Sequence, residues 1–283
     1  MFPKRLNLIV YALLFFFAVL PLVCGLGFAI LYSFGIVGVL NNGFTLQHWF
    51  NVFAEGNVVH SFLYSALIAI VAVSISVTLA LLTALVHHKA FTNSFFSYII
   101  YIPLAFPGIV AAFFFFQFLS KAGVVSRILY QIHVINSIDQ FPDLVNDSFG
   151  IGMIVAHVFL SFPFFVLLFV NLIETERIAD YQQLASTLSA SKWQNFFRVS
   201  APLLLQKALP NIILYFIFIF GAFEVPLLLG RSNPETVSVL AARKLQRFDL
   251  LDIPQGYAVA VLYTIFVFTL LVFMFKIKKT DEV

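Results

Sequence analysis

Charged side chains are scarce in this 283-residue chain, with Asp, Glu, Lys and Arg together making up 10% of it, where soluble proteins use roughly 25%. That excludes a solvated surface over most of its length. Cysteine is nearly absent as well: the lone Cys24 excludes an intramolecular disulfide and a cysteine-based metal cluster. There is no Gly-rich phosphate loop ending in Lys and Ser or Thr, so nothing in the chain predicts nucleotide hydrolysis. Residues 35–59 contain no Lys or Arg.

What fills the chain instead is hydrocarbon, with 61% hydrophobic residues and 37 Phe. About 20 apolar residues are needed to cross a bilayer as a helix. Six runs qualify: Leu8 to Phe34, His60 to Val86, Phe95 to Leu119, Ile151 to Ile173, Leu203 to Gly230 and Gln255 to Phe275. They are too long for barrel strands, and only helices or closed barrels satisfy their backbone in lipid. The expected fold class is therefore all-α, a polytopic membrane protein with six transmembrane helices. The first run is longer than the apolar region of a secretory signal and lacks a clear cleavage site, so it is read as a retained helix.

With six spans both ends share one side. Ten Lys and Arg fall on that side, Lys4, Arg5 and Lys192 among them, against six on the other. The positive-inside rule then places both termini and the 174–207 segment in the cytoplasm.

That segment contains QQLASTLSASKWQNFFRVSAP, residues 182–202, a long polar stretch with helical character. Asp180 and Gln183 have capping-box spacing, which predicts a helix start there. Tyr181, Leu184, Ala185 and Leu188 recur at i, i+3, i+4 and i+7 and gather on one stripe. Ser191 and Gln194 repeat the start signal, with Trp193, Phe196, Phe197 and Ser200 expected on the next face. Two short helices joined by a bend at Ser189 and Ala190 are predicted, and Pro202 suits the first turn of the next span. Such a stripe lies in lipid headgroups, packs on its own bundle, or docks into a groove on a soluble partner.

Residues 183–202 resemble the cytoplasmic EAA loop of permease subunits of type I ATP-binding-cassette importers, whose pattern is Glu-Ala-Ala, three residues, Gly, then a second helix ending near Leu-Pro. Gln183 stands for Glu, Leu184 for Ala and Ser189 for Gly. The loop falls between the fourth and fifth spans, as in that family, and IPLAFPGIVAA, GMIVAHVFLSFPFF and FGAFEVPLLLG also look familiar. The resemblance implies a permease domain over 60–275, preceded by the helix at 8–34 and containing a coupling loop at 174–206. In general appearance it is closest to the polyamine, iron and thiamine branches.

It further implies a transport subunit in the inner (plasma) membrane, not an enzyme. Two ATP-binding subunits would carry the ATP, with no cofactor or metal on this chain. A second permease chain, identical or homologous, would complete the pathway, and an extracytoplasmic substrate-binding protein would deliver a small solute. Membrane lipid is expected as a contact and nucleic acid is not. The coupling residues carried over are Gln183, Leu184, Ala185, Leu188, Ser189, Trp193 and Phe196.

Glu224 is the clearest ionisable group inside a run, expected either to line the translocation pathway or to bond a neighbouring helix. Pro226 should loosen the helix beside it. His157 is expected to make a helix-to-helix hydrogen bond. Residues 236–248, TVSVLAARKLQRF, form a short basic helix that receives a binding protein or faces solvent. Asn146, Asp147 and Ser148 fit a glycosylation triplet, to which no function is given. The rival classes are an ion-coupled secondary transporter, which usually needs several intramembrane ionisable groups, and an intramembrane enzyme, which needs a converging catalytic set.

Overall fold

The computed structural model describes residues 10–11, 13–39, 41, 43–92 and 98–280. These form helices and turns, with no strand among the described residues. In chain order the helices are α1 (Leu20–Ser33, continuing a π-turn at Phe15–Val19), α2 (Gln47–Ala54), α3 (Asn57–Thr92), α4 (Gly108–Leu119), α5 (Val124–Gln131) and α6 (Ile151–Thr175). Then follow α7 (Ile178–Thr187), α8 (Lys192–Asn195), α9 (Ala201–Phe220), α10 (Glu224–Leu229), α11 (Val237–Leu245) and α12 (Asp252–Thr280). Six stretches are long and apolar enough to cross a membrane: Phe15–Ser33, Asn57–His87, Gly108–Gln131, Ile151–Thr175, Lys192–Phe220 and Asp252–Lys276. The predicted starts of the first and third runs, Leu8 and Phe95, lie outside the described residues.

Two runs expected to be unbroken are interrupted. In the third, a 3-10 turn at Pro103–Ala105 precedes extended Phe106 and Pro107, and α4 begins only at Gly108. Pro107 disfavours the helical region for the residue before it, and Phe106 accordingly has φ −79° and ψ 123°, whereas Ile102 before Pro103 stays helical. In the fifth, α9 ends at Phe220 and residues 221–223 are non-helical before α10. Pro226 was expected to loosen the helix around itself, but it is buried within intact α10 and the break lies upstream. Its ring would strike the carbonyl four residues back, at Ala222, so a continuous helix fails at that point.

The described chain packs as two compact units, Met1–Ser61 with Val237–Thr269 and Phe62–Thr236 with Leu270–Val283. In the first, the Tyr32 ring lies 4.5 Å from that of Tyr257, and Phe28 meets Tyr257 edge-on at 5.9 Å. Gly38, at φ +129°, crosses over the Tyr32 ring, where any Cβ would collide.

In the second unit, one face of α3 carries Ser65, Ala69, Ala72, Ser76, Ala80 and Ala84, all buried. Small residues allow the close helix approach on which membrane packing depends. The hydroxyls of Ser76 and Ser161 meet at 2.7 Å and each lies within hydrogen-bond reach of the carbonyl four residues back, of Ala72 and His157, so one hydroxyl donates to its carbonyl while the other donates across the pair. Tyr64, Ile68, Ala112, Met153, Ala156, Val225 and Leu229 form the adjoining core. His157 is buried, but its Nε2 has no hydrogen-bond partner, so the expected helix-to-helix bond is not made through that atom.

Candidate functional site

Between α6 and α9 the chain forms a compact double helix turn. Here α7 starts at Ile178 from Arg177 in a left-handed conformation (φ 51°), so the capping box expected at Asp180 is not formed and Asp180 lies in the first turn. The second start signal does form: Ser191 Oγ accepts from the Gln194 amide at 3.2 Å, and Gln194 Oε1 accepts from the Ser191 amide at 2.8 Å. Pro202 occupies the first turn of α9 as expected.

The bend falls at Ser189, where φ is +62°. Ala190 N donates to Ala185 O and Ser189 N to Ser186 O, the paired bonds of a helix terminus built around a left-handed residue. Glycine is the usual occupant because it has no Cβ penalty there; in this chain a serine bears that penalty.

Two bonds hold the helices together. Asn195 Nδ2 donates to Gln182 O at 3.0 Å, and Gln182 Nε2 donates to buried Ser200 Oγ at 2.8 Å. With their polar sides joined, the apolar sides project outward. Leu188 is 83% exposed, Trp193 73% and Leu184 63%. Tyr181 and Phe197 are exposed beside them, Gln183 is exposed, and Ala185 and Phe196 are half-buried. The Trp193 and Phe197 rings stack at 5.4 Å and 6°.

Ser200, expected on the same face as Trp193, points inward instead. The π-turn over Phe196–Ser200 inserts a wider turn and shifts the register. Tyr181 and Phe197 join the exposed ridge although the family pattern does not mark them; their signal was helical spacing. Gln182 was not singled out, and only its partners in the folded chain reveal its clamp role.

The second candidate region lies where the two broken spans meet. Glu224 opens α10 with its side chain exposed, and its carboxylate lies against Gly108, the first residue of α4. A Cβ on residue 108 would collide with Glu224 Oε2. The first amides of a helix lack partners and give that end a positive potential. Pro226, two residues on, is buried.

Nearby, the triplet at 146–148 has a structural use. Asn146 adopts φ +60° and its amide donates to Leu229 O. The Asp147 carboxylate accepts from the amides of Phe149 and Ile151 at the start of α6, and Ser148 bonds Arg231.

The basic helix at 236–248 does not present all its cations to solvent. Lys244 is 3% exposed, bonding Glu55 Oε2 at 2.8 Å and Gln255 Oε1 at 2.7 Å, with Asp252 at 3.5 Å. Arg247 pairs with Asp252 at 2.9 Å. A solvated or receptive face is therefore not available through Lys244.

Comparison with known proteins gives a consistent answer. Over 184 residues the chain is 27% identical to the molybdenum transport system permease protein ModB of Azotobacter vinelandii, covering 64% of this chain and 76% of that one. It is 30% identical over 102 residues to the sulfate transport system permease protein CysT of Escherichia coli (strain K12), covering 35% and 36% of the two. A bacterial alginate ABC transporter, crystallised with a periplasmic protein bound to an alginate pentasaccharide, shares the fold at a TM-score of 0.68 and 17% identity, over 95% of this chain and 91% of that one. A second structure of a bacterial alginate importer gives 0.69 and 16%, over 96% and 94%. The model of the family described as "Binding-protein-dependent transport system inner membrane component" matches residues 76–278. With most of its length inside that match and its six apolar helices in place, the chain belongs to this family of importer permeases.

Proposed function

We propose that the ridge of Tyr181, Leu184, Leu188, Trp193 and Phe197 is the surface on which ATP-binding subunits dock. The carrying observation is its exposure: large apolar side chains stand out from a helix pair that the Asn195–Gln182 and Gln182–Ser200 bonds clamp together. Exposed apolar patches of this kind mark interaction sites. Gln183, Ala185, Ser189 and Phe196 shape the ridge and its bend. On this reading two ATP-binding subunits hydrolyse ATP, both termini and the 174–206 loop are cytoplasmic, and the permease domain runs over 60–275 behind the helix at 8–34. A second permease chain completes the pathway, and an external binding protein delivers the small solute. Glu224 lines that pathway beside Pro226.

The test is Leu188→Glu. Losing a central anchor costs about 2 kcal/mol or more, hence roughly thirtyfold in affinity. The variant should stay in the membrane while losing both transport and copurifying ATPase. Retention of both would return the ridge to a helix pair lying in the headgroups.

A further inference from the structure

We propose that an aromatic cleft beside α2 holds an acyl chain of a bilayer phospholipid. The cleft has a volume of about 300 Å³ and is lined by Phe34, Leu46, Trp49, Phe50 and Phe53. Water occupies roughly 30 Å³ per molecule and a methylene is of similar size, so the cleft has room for a substantial stretch of hydrocarbon.

The sequence of α2 and its N-cap sorts into three faces. Leu46, Trp49, Phe50 and Phe53 recur at i, i+3, i+4 and i+7 on the side that opens outward. His48 and Val52 are buried, while exposed Gln47 and half-buried Asn51 lie on another side and bond each other at 3.2 Å. This is the division expected of a helix lying in a membrane interface with one side against its own protein. Phe34 floors the cleft, its ring stacked on Phe44 at 5.3 Å and on Trp49 at 5.5 Å.

Two observations select the occupant. Phe34 directly follows the span Phe15–Ser33, whose Leu22, Val23, Phe28 and Leu31 are exposed, so the cleft continues a surface that meets hydrocarbon. Residues 35–59 contain no Lys or Arg, and their one acid, Glu55, is tied to Lys244. The lining offers a ligand apolar contact and no counter-charge. An acyl chain meets those conditions from the leaflet at that end of the span, with Trp49 at the interfacial level tryptophans favour.

Trp49 and Trp193 are the only tryptophans in the chain. The chain with its partner subunits is reconstituted into phosphatidylcholine vesicles with and without dibrominated acyl chains, and emission is compared with that of Trp49→Phe. The difference isolates Trp49, whatever tryptophans the partners carry. The expected result is loss of most of the Trp49 emission to brominated lipid, with little loss to aqueous iodide. Phe50→Asn, which puts an amide in the lining, should reduce the lipid quenching while the chain stays in the membrane.

Quenching by iodide and not by lipid would show a cleft open to water. Quenching by neither would show a cleft covered by protein, whether a second copy, a binding protein or the chain itself. Undiminished lipid quenching in Phe50→Asn would show lipid contact without the cleft. Each of these outcomes overturns the proposal, and none depends on ATPase docking.

Discussion

Replacing Lys244 by Met tests how the first unit holds its outer pieces together. The ammonium joins α11 to Glu55, just past the end of α2, and to Gln255 and Asp252 in α12. Breaking a buried ion pair from one side typically costs about 3–5 kcal/mol, because the partner is left charged and buried. Two features of this site lower that figure. Glu55 is 40% exposed and can return to water, and Asp252 keeps Arg247 at 2.9 Å. What remains is the orphaned Gln255 oxygen, at about 1–3 kcal/mol, and partial loss of charge balance at Asp252, 11% exposed.

We expect about 2–3 kcal/mol in all, which corresponds to roughly thirty- to hundredfold in a local opening equilibrium. Amide hydrogen exchange reads that equilibrium directly. Residues 237–245 should exchange faster by that factor in Lys244→Met. Glu55→Gln should shift exchange far less, because its side chain is already partly solvated. Unchanged protection in Lys244→Met would refute the clasp, and equal effects of the two variants would refute the burial argument.

Ser189→Gly should stabilise the bend of the ridge by about 1 kcal/mol, since a left-handed non-glycine residue costs about 1–2 kcal/mol. The check is slower amide exchange at Ala190, whose amide bonds Ala185 O; unchanged or faster exchange would deny the strain. Gly108→Ala should only swing the exposed, flexible Glu224 carboxylate aside, so the melting temperature in detergent should stay within a degree or two; a clear drop that Glu224→Ala relieves would show instead that the carboxylate is fixed against α4. If Glu224 lines the pathway, Glu224→Gln lowers transport with assembly intact; normal transport would leave it a structural role.

The six spans were legible because composition alone dictates them: runs of this length have few other ways to satisfy their backbone in lipid. The Ser191 to Gln194 cap and the bend at Ser189 were also legible, being local bonds between residues close in sequence. The failures have two causes, a local backbone turn at one site and contacts between distant residues at the others. Asp180 has capping-box spacing, but the preceding chain enters α7 through left-handed Arg177 and starts the helix earlier. Lys244 looks like part of a solvated face until α11 is placed beside residues 11 positions ahead and 189 behind. Asn146, Asp147 and Ser148 look like a surface triplet, yet Asn146 and Ser148 bond Leu229 and Arg231 across a long sequence gap. No period or motif carries such information.

The broken spans carry the argument for a pathway further than the lone acid does. A helix interrupted inside the hydrocarbon frees amides and carbonyls that lipid cannot satisfy, so such breaks persist only against protein or beside a wet cavity. Here two interruptions, before Gly108 and after Phe220, are brought side by side by the contact between Gly108 and Glu224. Each is set by a proline, Pro107 directly and Pro226 one turn downstream. An exposed carboxylate at their junction is costly toward acyl chains and tolerable toward water or a second permease chain. We propose that these interruptions, at the ends of the spans Gly108–Gln131 and Lys192–Phe220, face water or a second permease chain and that the Glu224 carboxylate marks their open side, as a pathway role for Glu224 requires.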